Sequence, residues 1–327
     1  MLPGNALAQL QWCIGDDIIH NTMKLNTGLG IVAIILWSTT IAFNRSLTEQ
    51  LGAFTSAALI YLLAGILGCG YQGLTGNSGD TAKSLTPRYV LGCGGLFVLY
   101  QVCLYAALEL SDNRAQVLEV GLIHYLWPML TLLFSIPLLR MRAKASVLPG
   151  AVIATAGVFL ATTQNQPISW SSFVGNLTRN GAPYLIGSLA AVAWALYSAL
   201  SRKWAGHAQG GAVFIFMLMT GVVLGLARFF LPEHTRWTGR AVFELLFMGV
   251  GSYLAYTFWE RAMRKGDLIL VASCSYFTPL LSTIVSSLYL GVATGVRLWA
   301  GCACVIAGAI VCRNAVTEQE GKSQTPD

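Results

Sequence analysis

The chain has 327 residues, of which 55% are hydrophobic and 10% charged, with a mean hydropathy of +0.62. A water-soluble domain carries about 25% charged residues, so this composition excludes a globular surface in water and leaves an integral membrane protein. The net charge of +6 would suit a nucleic acid, but its distribution along the chain assigns it to membrane topology and gives no reason to expect a nucleic-acid partner.

Residues 1–24 form an N-terminal extension. They lack a basic n-region and contain Asp16 and Asp17, so they do not read as a signal peptide. A start at Met23, immediately before the first apolar run, is expected; the extension would then be untranslated. Apolar runs of about 20 residues follow, each able to cross a ~30 Å hydrocarbon core. Ten are read, at 25–45, 52–72, 88–109, 115–138, 147–163, 182–204, 211–231, 240–262, 268–290 and 294–313. They are continuous rather than alternating, which excludes a transmembrane barrel. With the N-terminus inside, 13 of the 20 lysines and arginines fall on the inner side, and the dense short loop Arg140-Met141-Arg142-Ala143-Lys144 is among them. The positive-inside rule therefore predicts that both termini are cytoplasmic.

The organisation is that of a duplicated chain. His124-Tyr125-Leu126-Trp127-Pro128 in span four is matched by Ser275-Tyr276-Phe277-Thr278-Pro279 in span nine. The register then holds without a gap, Gly150 falling on Gly301 and Gly157 on Gly308, while Trp37 pairs more loosely with Trp194 and Arg45 with Arg202. Each half holds five spans, an odd number, so the second half enters the membrane from the opposite side. The expected fold is all-α and polytopic, with ten transmembrane helices as two inverted five-helix repeats, 25–163 and 182–313. A linker at 164–181 joins them, and a disordered cytoplasmic tail covers 314–327. The glycines and alanines of spans five and ten allow close backbone approach, either between these two helices or across a dimer.

A proline deep in a span removes a backbone donor and clashes with the preceding turn, and lipid supplies no replacement partner. Pro128 and Pro279 are therefore candidate hinges, at matching positions of two broken helices. His124 lies roughly 13 Å below Ala115 at 1.5 Å per residue, close to the midplane, and shares a face with Trp127 and Pro128. The opposing face carries Ser275, Thr278 and Pro279. The expected cavity is aromatic and polar on one wall, small and hydroxylic on the other. Candidate substrate-binding residues are Tyr100, His124, Tyr125, Trp127, Trp194, Tyr197, Ser275, Tyr276 and Thr278, because aromatic faces attract apolar rings and ammonium groups alike.

Glu119, about one turn into span four, stands almost alone as a carboxylate inside a span. It could bind an ammonium, carry a coupling proton, or simply pair with Arg114 or a backbone donor; His124 is the second candidate for proton coupling. Tyr71, Tyr89, Trp204 and Trp237 read as interfacial belt residues. About half of a deeper set (Trp37, Tyr61, Tyr100, Tyr105, Tyr125, Trp127, Trp194, Tyr197, Tyr256, Trp259 and Tyr276) should line a pathway.

The eight cysteines show no metal-ligand spacing, so no metal or disulfide framework is implied. Gly28-Leu29-Gly30 lacks the context of a dinucleotide site, no Walker sequence occurs, and no cofactor is expected. Asn176-Leu177-Thr178 matches a glycosylation sequon of a kind common by chance.

Leu36-Trp37-Ser38-Thr39, Leu118-Glu119-Val120-Gly121 leading into Tyr125-Leu126-Trp127-Pro128, and Ser275-Tyr276-Phe277-Thr278-Pro279 resemble the EamA branch of the drug/metabolite transporter superfamily, over essentially Lys24 to Arg313. The resemblance implies a ten-helix basket around a central cavity, without ATP. It further implies export of aromatic and other apolar amino acids, and of toxic cations such as methyl viologen, across a bacterial inner membrane. His124 departs from the asparagine usual there in the family. The expected function is thus a secondary transporter or facilitator working by alternating access, not an enzyme. Its partners would be amino acids and membrane lipids, as a monomer or homodimer. A cationic-drug or nucleotide-sugar carrier on the same scaffold is the alternative within transport; a membrane-embedded lipid-modifying enzyme is the alternative outside it.

Overall fold

A computed structural model describes residues 4–75, 85–163, 170–205, 211–290 and 295–317. Helix α1 runs Gly4–Leu51 and α2 Ala53–Leu74. Helix α3 covers 88–109, opening with a π-helical stretch at Arg88–Cys93. They are followed by α4 (Arg114–His124), α5 (Trp127–Leu138), α6 (Val147–Thr162) and α7 (Trp170–Arg179). Then come α8 (Ala182–Trp204), α9 (Val213–Arg228), α10 (Gly239–Lys265), α11 (Leu268–Cys274), α12 (Phe277–Leu290) and α13 (Val296–Ala315).

Seven helical segments are long and apolar enough to cross a membrane: Ala53–Leu74, Arg88–Glu109, Arg114–Leu138, Ala182–Trp204, Gly239–Lys265, Leu268–Val285 and Val296–Ala315. Two shorter apolar helices, α6 and α9, complete the apolar set among the described residues, and the first expected span lies within α1. Large apolar side chains face outward, for example Leu185, Val222 and Phe243, as a lipid-facing surface requires.

Both expected breaks are present. Tyr125 and Leu126 separate α4 from α5, with φ, ψ of −66°, 3° and −72°, −13°, so the chain tightens by one turn rather than unwinding. Ser275 and Tyr276 separate α11 from α12. Pro128 and Pro279 each fall in the first turn of the restarted helix, where the missing N–H costs no intrahelical bond. That placement is how the defect is absorbed.

Helices α6 and α13 pack antiparallel at backbone contact. A Cβ on Gly157 would lie 2.6 Å from the Gly301 carbonyl oxygen, and one on Gly308 would lie 2.5 Å from the Gly150 carbonyl oxygen. The small-residue faces thus meet within the chain. Close packing also joins α1 with α10, α3 with α8, and α2 with α9.

Two expectations need correction, the start of the tail and two of the belt residues. The tail does not begin at 314: α13 continues to Ala315, and Val316–Thr317 pair antiparallel with Arg142–Ala143, because the loop before α6 offers a free strand edge. Residues 318–327 lie outside the described residues, as do 1–3. The linker holds helix α7, whose apolar residues stack against the bundle, Phe173 on Tyr184 at 5.4 Å. Tyr89 and Trp204 are not belt residues. Tyr89 is fully buried beneath the Arg264 guanidinium, 5.5 Å from its ring centre, and Trp204 packs its ring on Gly92. Both sit on faces turned toward neighbouring helices; Tyr71 and Trp237 are exposed.

Candidate functional site

A cavity of about 960 Å³ lies at the centre of the bundle. Helical spacing aims its lining inward: Trp37, Thr40, Asn44 and Thr48 form one stripe of α1, and Met248, Ser252 and Tyr256 one stripe of α10. Helix α3 contributes Tyr100, Gln101, Leu104 and Tyr105; α4 contributes Leu118, Gly121 and His124. Thr278, Ser282 and Thr283 form a hydroxyl-bearing strip on α12, the small wall expected from the sequence.

The floor is aromatic. Trp194 is its hub, with ring centres 5.6 Å from Trp37, 4.7 Å from Tyr100, 6.0 Å from Trp127 and 5.8 Å from Tyr256. Trp259 stacks behind it at 5.9 Å and donates from Nε1 to Ser198 Oγ at 3.2 Å. His124 lies nearly parallel to Tyr100 at 5.7 Å. Gln101 Nε2 donates to the Tyr256 hydroxyl at 2.7 Å, which is itself 3.0 Å from the Tyr61 hydroxyl. These bonds hold buried phenols in place.

Of the sequence-derived site residues, Tyr100, His124, Tyr125, Trp127, Trp194 and Thr278 line this cavity, with Pro279 beside them. Tyr197, Ser275 and Tyr276 do not. They are fully buried, and the Ser275 hydroxyl donates to its own helix at the Ala272 carbonyl, 2.6 Å away. Eight of the eleven deeper aromatics line the cavity, all but Tyr197, Trp259 and Tyr276. Pro128 is buried outside the lining.

Sequence reasoning missed Asn44, Thr40, Gln101 and Ser252. The only signal was their polarity on largely apolar helices, which does not tell a partnered group from one that faces a cavity. Four cavity-lining groups have a buried polar atom with no hydrogen-bond partner among the described residues: Trp37 Nε1, Asn44 Oδ1, His124 Nε2 and Thr278 Oγ1. Among the described residues no lysine or arginine lines the cavity, and Glu49 and Glu109 stand toward its mouth.

Glu119 is placed elsewhere. It is buried and accepts from Asn176 Nδ2 at 3.1 Å, from Ser172 Oγ at 3.4 Å and from the Tyr184 hydroxyl. It lines a separate cavity of about 430 Å³ between α4, α6 and α7. Asn176, the sequon residue, is thereby engaged. Nor does Glu119 stand alone: Glu244 and Glu260 are equally buried. Each is held by an arginine one turn away, Arg240 at 2.7 Å and Arg264 at 3.7 Å, which lets a carboxylate sit near the end of a span.

The opposite end of the bundle is tied by hydrogen bonds and an ion pair. Arg202 Nε donates to the Met263 carbonyl at 2.9 Å and its Nη2 to the Gly266 carbonyl. The Asp267 N–H donates to Thr27 Oγ1 at 2.9 Å, and Asp267 pairs with Arg313 at 2.7 Å. Helices α1, α8, α10, α11 and α13 are tied together there.

An all-helical bundle with an apolar outer surface, broken helices and an aromatic central cavity defines a multi-pass membrane protein built to hold a small molecule. The EamA-like transporter family matches residues 27–163 and residues 182–313, and the chain belongs to that family. It is 32% identical over 292 residues to an aromatic amino acid exporter, YddG, of Salmonella typhimurium, covering 89% of this chain and 97% of that one. It is 29% identical to the exporter of the same name from Escherichia coli, with the same coverage. Another relative of that name, from Ancylobacter novellus, is 29% identical, over 87% of this chain and 96% of its own. A solved crystal structure superposes with a TM-score of 0.74 at 28% identity, covering 88% of this chain and 96% of that chain.

Proposed function

We propose that this chain is a secondary transporter or facilitator that exports aromatic and other apolar amino acids across a bacterial inner membrane. One observation carries the reading: an aromatic cavity whose lining residues include four with a buried polar atom that has no partner among the described residues. An amino acid supplies what they lack. Its ring stacks among Tyr100, Trp127 and Trp194; its carboxylate meets Trp37 N–H and the Thr278 hydroxyl; its ammonium meets the Asn44 amide oxygen. The N-termini of α5 and α12 lie at the two breaks and favour the carboxylate through their dipoles. Tyr197, Ser275 and Tyr276 support this wall from behind.

The transport cycle we assign is alternating access between two inverted five-helix repeats, ten crossings in all, with both termini cytoplasmic. The packing supports it, because main contacts recur with the halves exchanged: α1 with α10 answers α8 with α3, and α5 with α8 answers α12 with α1. Trp37 and Trp194, matched in sequence, meet at 5.6 Å. The residues that tie α1, α8, α10, α11 and α13 together lie at the arginine- and lysine-rich end, which supports an outward-facing conformation, and Pro128 and Pro279 are assigned as the bend points. His124 is the residue to which a proton carried with the substrate is assigned. The titratable rings facing it are Tyr100 and Tyr125.

Glu49 and Glu109 at the mouth favour a second reading, export of organic cations such as methyl viologen. A nucleotide-sugar carrier would need basic side chains for the phosphates, which the lining lacks among the described residues. The test is uptake of labelled phenylalanine, threonine and methyl viologen into vesicles of purified protein, with and without a pH gradient. Phenylalanine flux that falls in Trp127→Ala and Trp194→Ala is expected; normal flux in both sinks the cavity assignment. His124→Asn should retain flux and lose its response to the gradient, and a response that persists removes the proton role.

A further inference from the structure

The second cavity, of about 430 Å³, has a composition of its own. Its wall is Ile123, Val158, Phe159, Trp170 and Phe173, with Glu119 as its one carboxylate among the described residues. It opens among lipid-facing side chains, with Phe159 47% and Trp170 78% exposed. Glu119 lies in the second turn of α4 and Leu126 at the α4–α5 break, so the cavity runs along the helix from near the membrane surface inward. The carboxylate is held only by neutral donors, Tyr184, Asn176 and Ser172; no cationic side chain pairs with it among the described residues. Its Oε1 carries the single long contact, 3.4 Å from Ser172.

A buried carboxylate without a counter-charge is costly, and the Trp170 and Phe173 rings, stacked at 5.5 Å, favour a cation nearby. A neutral hydrocarbon chain would fill the space and leave the charge unmet; an anion would be repelled. We infer that this cavity binds an amphiphilic ammonium, its head at Glu119 and a hydrocarbon tail along Ile123 and Val158 toward the helix break. Leu122 and Tyr125 line both this cavity and the central one, so the tail lies against the wall of the transport cavity.

The full chain in phosphatidylglycerol vesicles is labelled with a photoreactive alkyl-trimethylammonium, and the adducts are mapped by mass spectrometry. Labelling of α4 and α6 is expected, displaced by dodecyltrimethylammonium and not by dodecanol. Glu119→Gln, which keeps the hydrogen-bond acceptor, should weaken labelling about tenfold by removing one charge-assisted contact. Val158→Phe, which fills the cavity and leaves Glu119 intact, should block it. Displacement by phosphatidylethanolamine would identify a membrane lipid as the source of the ammonium; its failure beside dodecyltrimethylammonium would identify a soluble amphiphile. Equal displacement by dodecanol, or undiminished labelling of Glu119→Gln, overturns the proposal. Phenylalanine flux in the same vesicles reports separately on the central cavity.

Discussion

Gly157→Ala is the sharpest perturbation the fold offers. The added methyl would sit 2.6 Å from the Gly301 carbonyl oxygen and 2.7 Å from the Val305 nitrogen, against 3.4 Å for ordinary contact. Helix α13 must therefore retreat by about 0.8 Å, since both atoms are backbone and cannot swing aside. Such a gap forfeits a quarter to a half of the dispersion energy of each atom pair it opens. It opens the whole seam, including Gly308 against Ala154. Overpacking of this kind costs about 1–3 kcal/mol. A Cβ on Gly95 would meet nothing within 4 Å, so Gly95→Ala is the control and should hold or raise stability through helix propensity. Thermal unfolding in detergent, followed by circular dichroism, makes the comparison. If Gly157→Ala melts with the wild type, or no lower than Gly95→Ala, α6 and α13 are not in backbone contact and the account of the seam fails.

Other outcomes follow from single groups. Trp37→Phe keeps the ring and removes the Nε1 donor, so KM for phenylalanine should rise about tenfold or more, the worth of a hydrogen bond to a charged group; an unchanged KM removes Trp37 from carboxylate recognition. Glu233 accepts from the Phe54 and Thr55 N–H groups at 2.7 and 2.9 Å, and pairs with Arg228 at 3.2 Å. Glu233→Ala should therefore destabilise the protein by about 1–3 kcal/mol, read as a lower unfolding temperature, and an unshifted transition would show that α2 needs no such cap.

The positions of the two breaks were legible because proline has one physical consequence wherever it stands in an apolar helix. The same holds for the glycine seam, although whether it faced inward or a second chain was a matter of packing. Only part of the site could be read. His124, Trp127 and Thr278 follow from helix register, but Ser275, one turn from Thr278, spends its hydroxyl on its own backbone. Asn44 and Gln101 passed unnoticed because a lone amide on an apolar helix gives no sign of whether it meets a partner or a cavity.

What the residue order alone determined is the solvent, the helical class and the positions of the breaks along the chain. These depend on composition and on interactions a few residues apart. What only the tertiary structure decided is which polar groups are spent and which are left over. Glu119 is answered by Asn176 and Tyr184, 57 and 65 residues away, while Trp37, Asn44, His124 and Thr278 are answered by nothing the protein provides among the described residues. Hydrogen bonding is settled by distance in space, so a chain can announce its buried polar groups but not which of them wait for a ligand.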